Sequence, residues 1–211
     1  MAQLTFLSGA GPASGILDTQ NYQFVTITTP NLAAQTSAPT ISSTSTATTG
    51  GNLTALTTYG YKITRATPAG ETTPSAESTQ LTGITATNTV TINFTAAATG
   101  TTTNIYGRTS GGPWGLIGTV AAGITSFVDD GSVTPGAAPP GANTTAESVT
   151  VKLNVPDGQT APSVLDVNGN AATFANPSAT HVLFGGPSYV ITTTGTISGA
   201  GVYVDFGGRV Q

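Results

Sequence analysis

The sequence contains no cysteine, a single histidine and few charged residues. Of its 211 residues, five are Lys or Arg and nine are Asp or Glu. The absence of cysteine excludes disulfides, thiolate metal sites and cysteine nucleophiles together, so stability has to come from packing and hydrogen bonding. The basic residues are scattered singly. They therefore predict no groove for nucleic acid, because such a groove concentrates Lys and Arg against the phosphates.

Long apolar runs are also missing. No run approaches the roughly 20 apolar residues that a membrane-spanning helix needs. Met1–Leu7 lacks the basic start and the long apolar stretch of a secretory signal. We therefore expect a soluble protein that is made in the cytoplasm and has no membrane partner.

Threonine is the abundant residue, at about one residue in five. Together with Val, Ile, Tyr and Phe, it favours extended structure over helix. The 27 glycines and 13 prolines interrupt the chain at short intervals, so no window keeps the helical period of about 3.6 residues. The sequence thus predicts an all-β fold with a surface of Thr, Ser, Ala and Gly. Such a surface has little long-range charge repulsion and suits close packing against neighbours.

Segments rich in Pro, Thr and Gly divide the chain into three regions. Residues 1–36 hold one strand-like run, Tyr22–Thr29, which is too short to enclose a core. This run should either pair with the C-terminal region or act as an extended N-terminal arm that reaches another subunit. Residues 37–140 alternate as the strands of one β-sandwich do. Beyond the proline-rich linker Pro135–Ala142, residues 145–211 predict a small C-terminal β domain.

That C-terminal domain is small for an independent fold. A domain of about 65 residues without a disulfide or a metal buries only about 60% of its unfolded surface. We expect it to be completed by the N-terminal strand, by a neighbouring subunit or by both.

His181 and the pair Asp129-Asp130 are the first candidates for a chemical site. His181 is the only histidine and lies in a strand-like run; without a serine elbow or a cysteine to act on, a structural role is favoured over that of a general base. The pair Asp129-Asp130 could contribute to a calcium site. A turn in which Gly131 supplies a positive φ is the favoured interpretation.

The run Asp166-Val-Asn168-Gly-Asn170 is similar to an oxygen-rich calcium loop, but the remaining acidic ligands are absent. Asn168-Gly169 stands between two apolar runs, which is a strong hairpin signal. A hairpin turn is therefore the favoured interpretation of this run.

Glu71 and Glu77 could be imagined as the carboxylate pair of a glycosidase. Sequence spacing alone does not set the separation of several ångströms that this chemistry needs, and Glu71 is already explained as part of a turn. No catalysis is predicted from this pair.

Aromatic residues could form a face that binds a sugar or a partner. In alternating strands they are more often part of the core. Trp114 is the exception, because it lies between Gly-Gly-Pro and Gly, where a loop tip could present it outward. The aromatic candidates for such a binding face are Tyr59, Tyr61, Tyr106, Trp114, Tyr189 and Tyr203. We predict no catalytic, cofactor or metal site, and hence no enzyme.

The central region resembles a fibronectin type III-like module. The resemblance covers about half of the chain and rests on the runs Tyr59–Ser75, Thr89–Phe94, Thr103–Arg108, Gly111–Ile117 and Thr125–Gly131. Phe94 departs from the pattern, because such modules often have a tryptophan there. The resemblance implies a fibronectin type III or Ig-like β-sandwich of the kind often met in bacteriophage virion proteins and in bacterial surface proteins. The ending Gly185–Phe206 is similar to small β domains that end some phage structural proteins.

These resemblances imply a structural protein of the virion. The favoured expectation is a decoration or cement protein that binds the major capsid protein on the head exterior, as a homotrimer at threefold positions. The alternative is a tail, neck or head fibre subunit that binds a host glycan. A third interpretation, the accessory module of a polysaccharide-degrading enzyme, requires a catalytic domain that these residues do not show.

Overall fold

The computed structural model describes residues 4–7, 14–29, 32, 34–109, 112–155, 164–175, 179–184, 188–194 and 202–209. The described residues form strands, turns and loops without a helix. The all-β class predicted from the threonine, glycine and proline content is therefore confirmed. The strands are, in chain order, β1 (Leu4–Leu7), β2 (Ser14–Leu17), β3 (Tyr22–Thr29), β4 (Ile41–Ala47), β5 (Thr58–Thr67), β6 (Gly70–Glu71), β7 (Ser78–Leu81), β8 (Thr89–Phe94), β9 (Thr102–Thr109), β10 (Gly115–Val120), β11 (Ser126–Asp129), β12 (Ser148–Leu153), β13 (Thr173–Ala175), β14 (Ala179–Phe184), β15 (Tyr189–Thr194) and β16 (Val202–Arg209).

The chain forms two compact units. The central unit is Thr36–Thr144, and the terminal unit combines Met1–Gln35 with Thr145–Gln211. The structure thus groups the first and last regions of the sequence into one unit. Parts of the ending Gly185–Phe206, namely residues 185–187 and 195–201, lie outside the described residues.

The central unit packs two antiparallel sheets over one core. One sheet has the order β10-β9-β5-β6, with β7 also paired to β5, and the other has the order β11-β8-β4. In β5, Tyr59, Tyr61 and Ile63 point into the core, and Gly60 and Lys62 point to the opposite face. Because both sheets contribute to the core, the unit is sandwich-like. The core residues are Leu53, Tyr59, Tyr61, Ile63, Val90, Ile92, Phe94, Ile105 and Ile117.

The proline-rich segment differs from the linker expected for it. The N–H of Gly136 donates to the carbonyl of Leu116 at 2.9 Å, and the N–H of Leu116 donates to the carbonyl of Ala137 at 2.9 Å. Farther along, the N–H of Thr144 donates to the carbonyl of Glu71 at 2.9 Å. Backbone groups at a sheet edge need partners, and this segment supplies them to β10. It therefore belongs to the central unit.

The terminal unit interleaves strands from both ends of the chain. Its two four-stranded sheets have the orders β1-β16-β3-β14 and β13-β12-β15-β2. Strand β3 pairs antiparallel with β14 and β16, and β2 pairs antiparallel with β15. Of the two alternatives for Tyr22–Thr29, the structure has the pairing with the C-terminal region.

The core of the terminal unit draws on both sheets and on both ends of the chain. Its buried apolar residues are Leu17, Val25, Ile27, Leu32, Val149, Val151, Val164, Ala172, Phe174, Leu183, Tyr189, Ile191, Val202 and Val204. The first four come from the N-terminal region, so this core is completed within one chain. A neighbouring subunit, the other expected source of buried surface, is not required for it.

Candidate functional site

Asp166 organises the turn that precedes β13. Its Oδ1 atom accepts the N–H of Asn168 at 2.8 Å and the N–H of Asn170 at 2.9 Å. Its carbonyl accepts the N–H of Gly169, which has a φ of 82°. The predicted turn is present, but Val167 and Asn168 occupy its central positions, and Gly169 follows them. The side chain of Asp166 captures the following N–H groups, and this moves the turn one residue earlier than an Asn-Gly turn.

His181 pairs with this turn. Its Nδ1 atom lies 2.9 Å from Oδ2 of Asp166, and its ring meets the ring of Phe174 edge-on, with centroids 4.6 Å apart. Hydrogen bonds from the backbone N–H of Asn170 and from His181 lower the pKa of Asp166 to about 2. The N–H of Val167 also donates to the carbonyl of Val182 at 2.8 Å. The pair therefore joins the turn to β14, which is a structural task.

The two aspartates of the Asp129-Asp130 pair have separate partners. Asp129 Oδ2 accepts the hydroxyl of Tyr61 at 2.9 Å, and Oδ1 accepts the N–H of Gly131 at 3.0 Å. Asp130 Oδ1 accepts the N–H and the hydroxyl of Ser132. Gly131 has the predicted positive φ, at 74°. Among the described residues, no group of three or more His, Cys, Asp or Glu side chains is assembled around a common point that could hold a metal ion.

Glu71 is a hydrogen-bond acceptor for three side chains on the outer face of the five-stranded sheet. Its Oε1 atom accepts Nδ2 of Asn104 at 2.8 Å, the hydroxyl of Tyr106 at 2.7 Å, and the hydroxyl of Thr64. Burial, and then the bond to Glu71, raise the pKa of Tyr106 to about 12. Glu77 is exposed and lies beside Gly60 instead. The two carboxylates therefore interact with different residues.

Trp114 lies on the same outer face and not in the core of the central unit. A methyl group placed on Gly60 would come within 3.1 Å of its ring, so the indole covers the backbone of β5 there. The Nζ atom of Lys62 is 4.6 Å from the ring centroid, a cation–π distance. Trp114 is half-buried in this position. We call Gly60, Lys62 and Trp114 the tryptophan face.

The other aromatic residues considered from sequence have mixed outcomes. Tyr59, Tyr61 and Tyr189 are buried in the two cores, as expected of aromatic residues in alternating strands. Tyr106 is also buried, but it lies outside the core cluster and its hydroxyl donates to Glu71. The side chain of Tyr203 is not among those that the structure describes.

A pair of exposed aromatic residues on the terminal unit was missed in the sequence. Phe24 of β3 is 42% exposed and Phe184 of β14 is 58% exposed. They are direct cross-strand partners with ring centroids 6.0 Å apart. Four residues farther along the same two strands, the hydroxyls of Thr28 and Thr180 share a hydrogen bond of 3.1 Å. We define the phenylalanine face by the residues of β3 and β14 that point away from the core, which are Phe24, Thr26, Thr28, Thr180, Val182 and Phe184.

The alternation of buried and outward-pointing residues in β3 could have predicted part of the phenylalanine face from the sequence. In Phe24-Val25-Thr26-Ile27, burial of Val25 and Ile27 sends Phe24 to the opposite side of the sheet. Applied to the whole run, the two-residue period would have identified Phe24 as an outward aromatic residue.

Comparisons with protein-family models, with curated proteins and with solved structures find no match. The described residues include no helix long and apolar enough to cross a membrane.

Proposed function

We propose that this protein is a non-catalytic structural component of a bacteriophage particle, and that it decorates the head as a cement protein bound to the major capsid protein. The sequence runs that resemble a fibronectin type III-like virion module support this proposal. The pairing within the central unit is compatible with that module, because β4 pairs with β8 and β5 pairs with β9. Pairing of strands distant in sequence is typical of Greek-key sandwiches.

The phenylalanine face is the observation that carries the proposal. Aromatic residues are enriched and charged residues depleted at the centre of protein interfaces. This face presents two exposed aromatic rings among threonines, and Asp205 of β16 lies directly opposite Thr26. Phe24 and Phe184 are already about half-buried, so covering one of these rings contributes less than the roughly 1.5–3 kcal/mol of burying a fully exposed side chain. In this proposal the terminal unit binds the shell through Phe24 and Phe184.

A weak contact of this kind can hold the protein on the capsid because it is repeated at many sites. A capsid presents many identical sites, and a homotrimer would engage three of them at once, so that weak contacts reinforce one another through effective concentration. The low charge of the chain, with a formal net charge of −4, leaves little repulsion between neighbouring copies. Completion of the terminal core within one chain removes any need for the trimer in folding. Its role in the proposal is therefore avidity.

Reconstitution on capsids that lack the protein tests the proposal. We expect the wild-type chain to sediment with such capsids, and the double variant Phe24→Ser with Phe184→Ser to lose about tenfold or more in affinity. The matched control changes two exposed apolar residues of the central unit, Ile84→Ser with Val128→Ser, and should bind normally. Failure of the wild-type chain to bind, or an equal loss in the control, would refute the assignment. Light scattering of the free protein measures whether it is a trimer.

The tryptophan face supports a second candidate, a fibre subunit that binds a host glycan. Aromatic rings on a sheet surface are suited to packing against sugars, and the hydrogen-bonding groups of Glu71 and Asn104 lie on the same side of the sheet. A glycan array separates the two candidates. A fibre protein should give signals that Trp114→Ala abolishes, and a decoration protein should give none.

A further inference from the structure

A cleft of about 260 Å³ opens between the two sheets of the central unit. Leu53, Ile117, Val133 and Pro135 supply apolar walls, and Asp129 supplies a carboxylate. Sites for drug-sized ligands are about 300–1,000 Å³, so this cleft suits a smaller group, such as one long side chain or a small amine.

The carboxylate in the cleft is buried among neutral partners. Asp129 is 8% exposed, and its hydrogen-bond donors are the hydroxyl of Tyr61 and the N–H of Gly131. Within the described part of the chain, no Lys, Arg or His forms an ion pair with it. Burial is the main cause of the raised pKa of Asp129. A buried carboxylate without a counter-ion is costly, and a cation that enters the cleft would offset that cost.

The residues that line the cleft indicate which type of cation it suits. A hard cation such as Ca²⁺ prefers six to eight oxygen ligands, and the described residues assemble no cluster of acidic side chains to provide them. An ammonium group on an aliphatic stem would use both parts of the cleft, because the stem would pack on Leu53 and Ile117 and the charge would reach Asp129. Val133 is 49% exposed and leaves one wall open to solvent.

We propose that this cleft binds a primary ammonium group carried on an aliphatic stem, with the Asp129 carboxylate as its counter-ion. The ammonium group can come from a lysine side chain of a partner protein or from a free alkylamine. This site is independent of the phenylalanine face and of the proposed role in a virion.

Amide chemical shifts of the ¹⁵N-labelled full chain test the site. The probes are n-butylammonium chloride, the neutral n-pentanol, and two capped peptides that differ only in lysine or norleucine. We expect saturable shifts at Gly107, Thr109 and Gly131 with the ammonium probes, and binding about tenfold weaker in Asp129→Asn. Asp130→Asn is the matched control and should bind within about twofold of the wild type, because its carboxylate binds Ser132 instead.

Each outcome has a defined meaning. Binding of n-butylammonium identifies a free amine as a source, and binding of the lysine peptide alone identifies a partner's side chain. Equal shifts with n-pentanol, equal losses in Asp130→Asn, or no saturable shift with either ammonium probe would overturn the proposal. If Asp129→Asn does not fold, Val133→Trp provides the second variant. It narrows the cleft from its open wall and should abolish binding with Asp129 intact.

Discussion

The Nδ1 atom of His181 lies 2.9 Å from the Oδ2 atom of Asp166, a residue fifteen positions earlier in the chain. Asp166 belongs to a turn and His181 to strand β14, so the contact holds a local turn against a strand of the terminal unit. The hydrogen bond from Val167 to Val182 reinforces the same junction. Backbone groups of β14 thereby gain a partner at the edge of the sheet.

Acid should weaken the terminal unit through Asp166. Its pKa is about 2 in the fold and about 3.9 in an unfolded chain. A carboxyl group with a lower pKa in the folded state stabilises the fold above its unfolded pKa, and this stabilisation is lost as the pH falls from about 4 to about 2. We expect the urea midpoint of the wild type to decrease over this interval and that of Asp166→Asn to decrease less.

Asp18→Asn is the control for the acid experiment. Asp18 is exposed and its carboxylate accepts the N–H of Gln20 within a local turn. The variant should follow the wild-type pH profile. A profile for Asp166→Asn that is parallel to the wild type would contradict the role given to the hydrogen bonds that Asp166 accepts from Asn170 and His181.

Adjacent residues of β14 should differ strongly in their effect on stability. Leu183 is completely buried, and Phe184 lies on the phenylalanine face. We expect Leu183→Ala to lower the free energy of unfolding by about 2–5 kcal/mol, because it leaves a cavity in the terminal core. Phe184→Ala should lower it by about 1 kcal/mol or less, since only the pairing with Phe24 is lost. Urea unfolding followed by circular dichroism measures both, and a reversed order would show that the register of β14 is wrong.

Glu71 should stabilise the central unit as a hydrogen-bond acceptor. Glu71→Ala leaves the buried hydroxyls of Thr64 and Tyr106 without this acceptor, at a cost of about 1–3 kcal/mol. Glu71→Gln keeps a carbonyl oxygen and should lose less. Trp114 is the single tryptophan, so its fluorescence reports unfolding of the central unit.

Titration of tyrosine absorbance gives a second measure of the same contact. The pKa of Tyr106, about 12, should decrease in Glu71→Gln, because the negative charge that disfavours tyrosinate is removed. Glu77→Ala is the matched control, since Glu77 is exposed and is not a partner of Tyr106. An equal decrease in both variants would point to the overall charge of the sheet and not to this hydrogen bond.

Gly51 should resist any side chain. A methyl group there would collide with the carbonyl of Asn88 and would lie 2.9 Å from the carbonyl of Asp130. Both are backbone atoms that hydrogen bonds hold in place. We expect Gly51→Ala to lower the free energy of unfolding by about 1–3 kcal/mol. Gly141→Ala meets nothing within 4 Å and should be neutral, and equal thermal midpoints for the two variants would disprove the close approach.

Local patterns predicted many of the strands and the directions of many side chains, but not β2, β4 or β7. The alternation of Tyr59, Tyr61 and Ile63 placed these residues in the core of the central unit, because successive side chains of a strand point to opposite faces whatever the strand pairs with. The turn residues around Asp129 likewise predicted the positive φ of Gly131. The two-residue period also contained the outward direction of Phe24, although the neighbour that makes it a face, Phe184, is 160 residues away.

These local patterns do not predict which distant strands pair with each other. Nothing near Tyr22–Thr29 specifies that β3 lies between β14 and β16, and three sequence regions did not translate into three folded units. The cluster around Glu71 and the cleft beside Asp129 likewise bring together residues from several strands.

The amino-acid sequence by itself therefore determined the all-β class, the positions of several turns and the alternating direction of side chains in runs such as Tyr59 to Ile63. Only the tertiary structure decided which strands pair, which ends share a core, and which polar groups meet. The physical reason is that backbone preferences and side-chain alternation act over a few residues. The choice of partner strands depends on which distant segments together bury enough apolar surface to offset the entropy of closing the long loops between them.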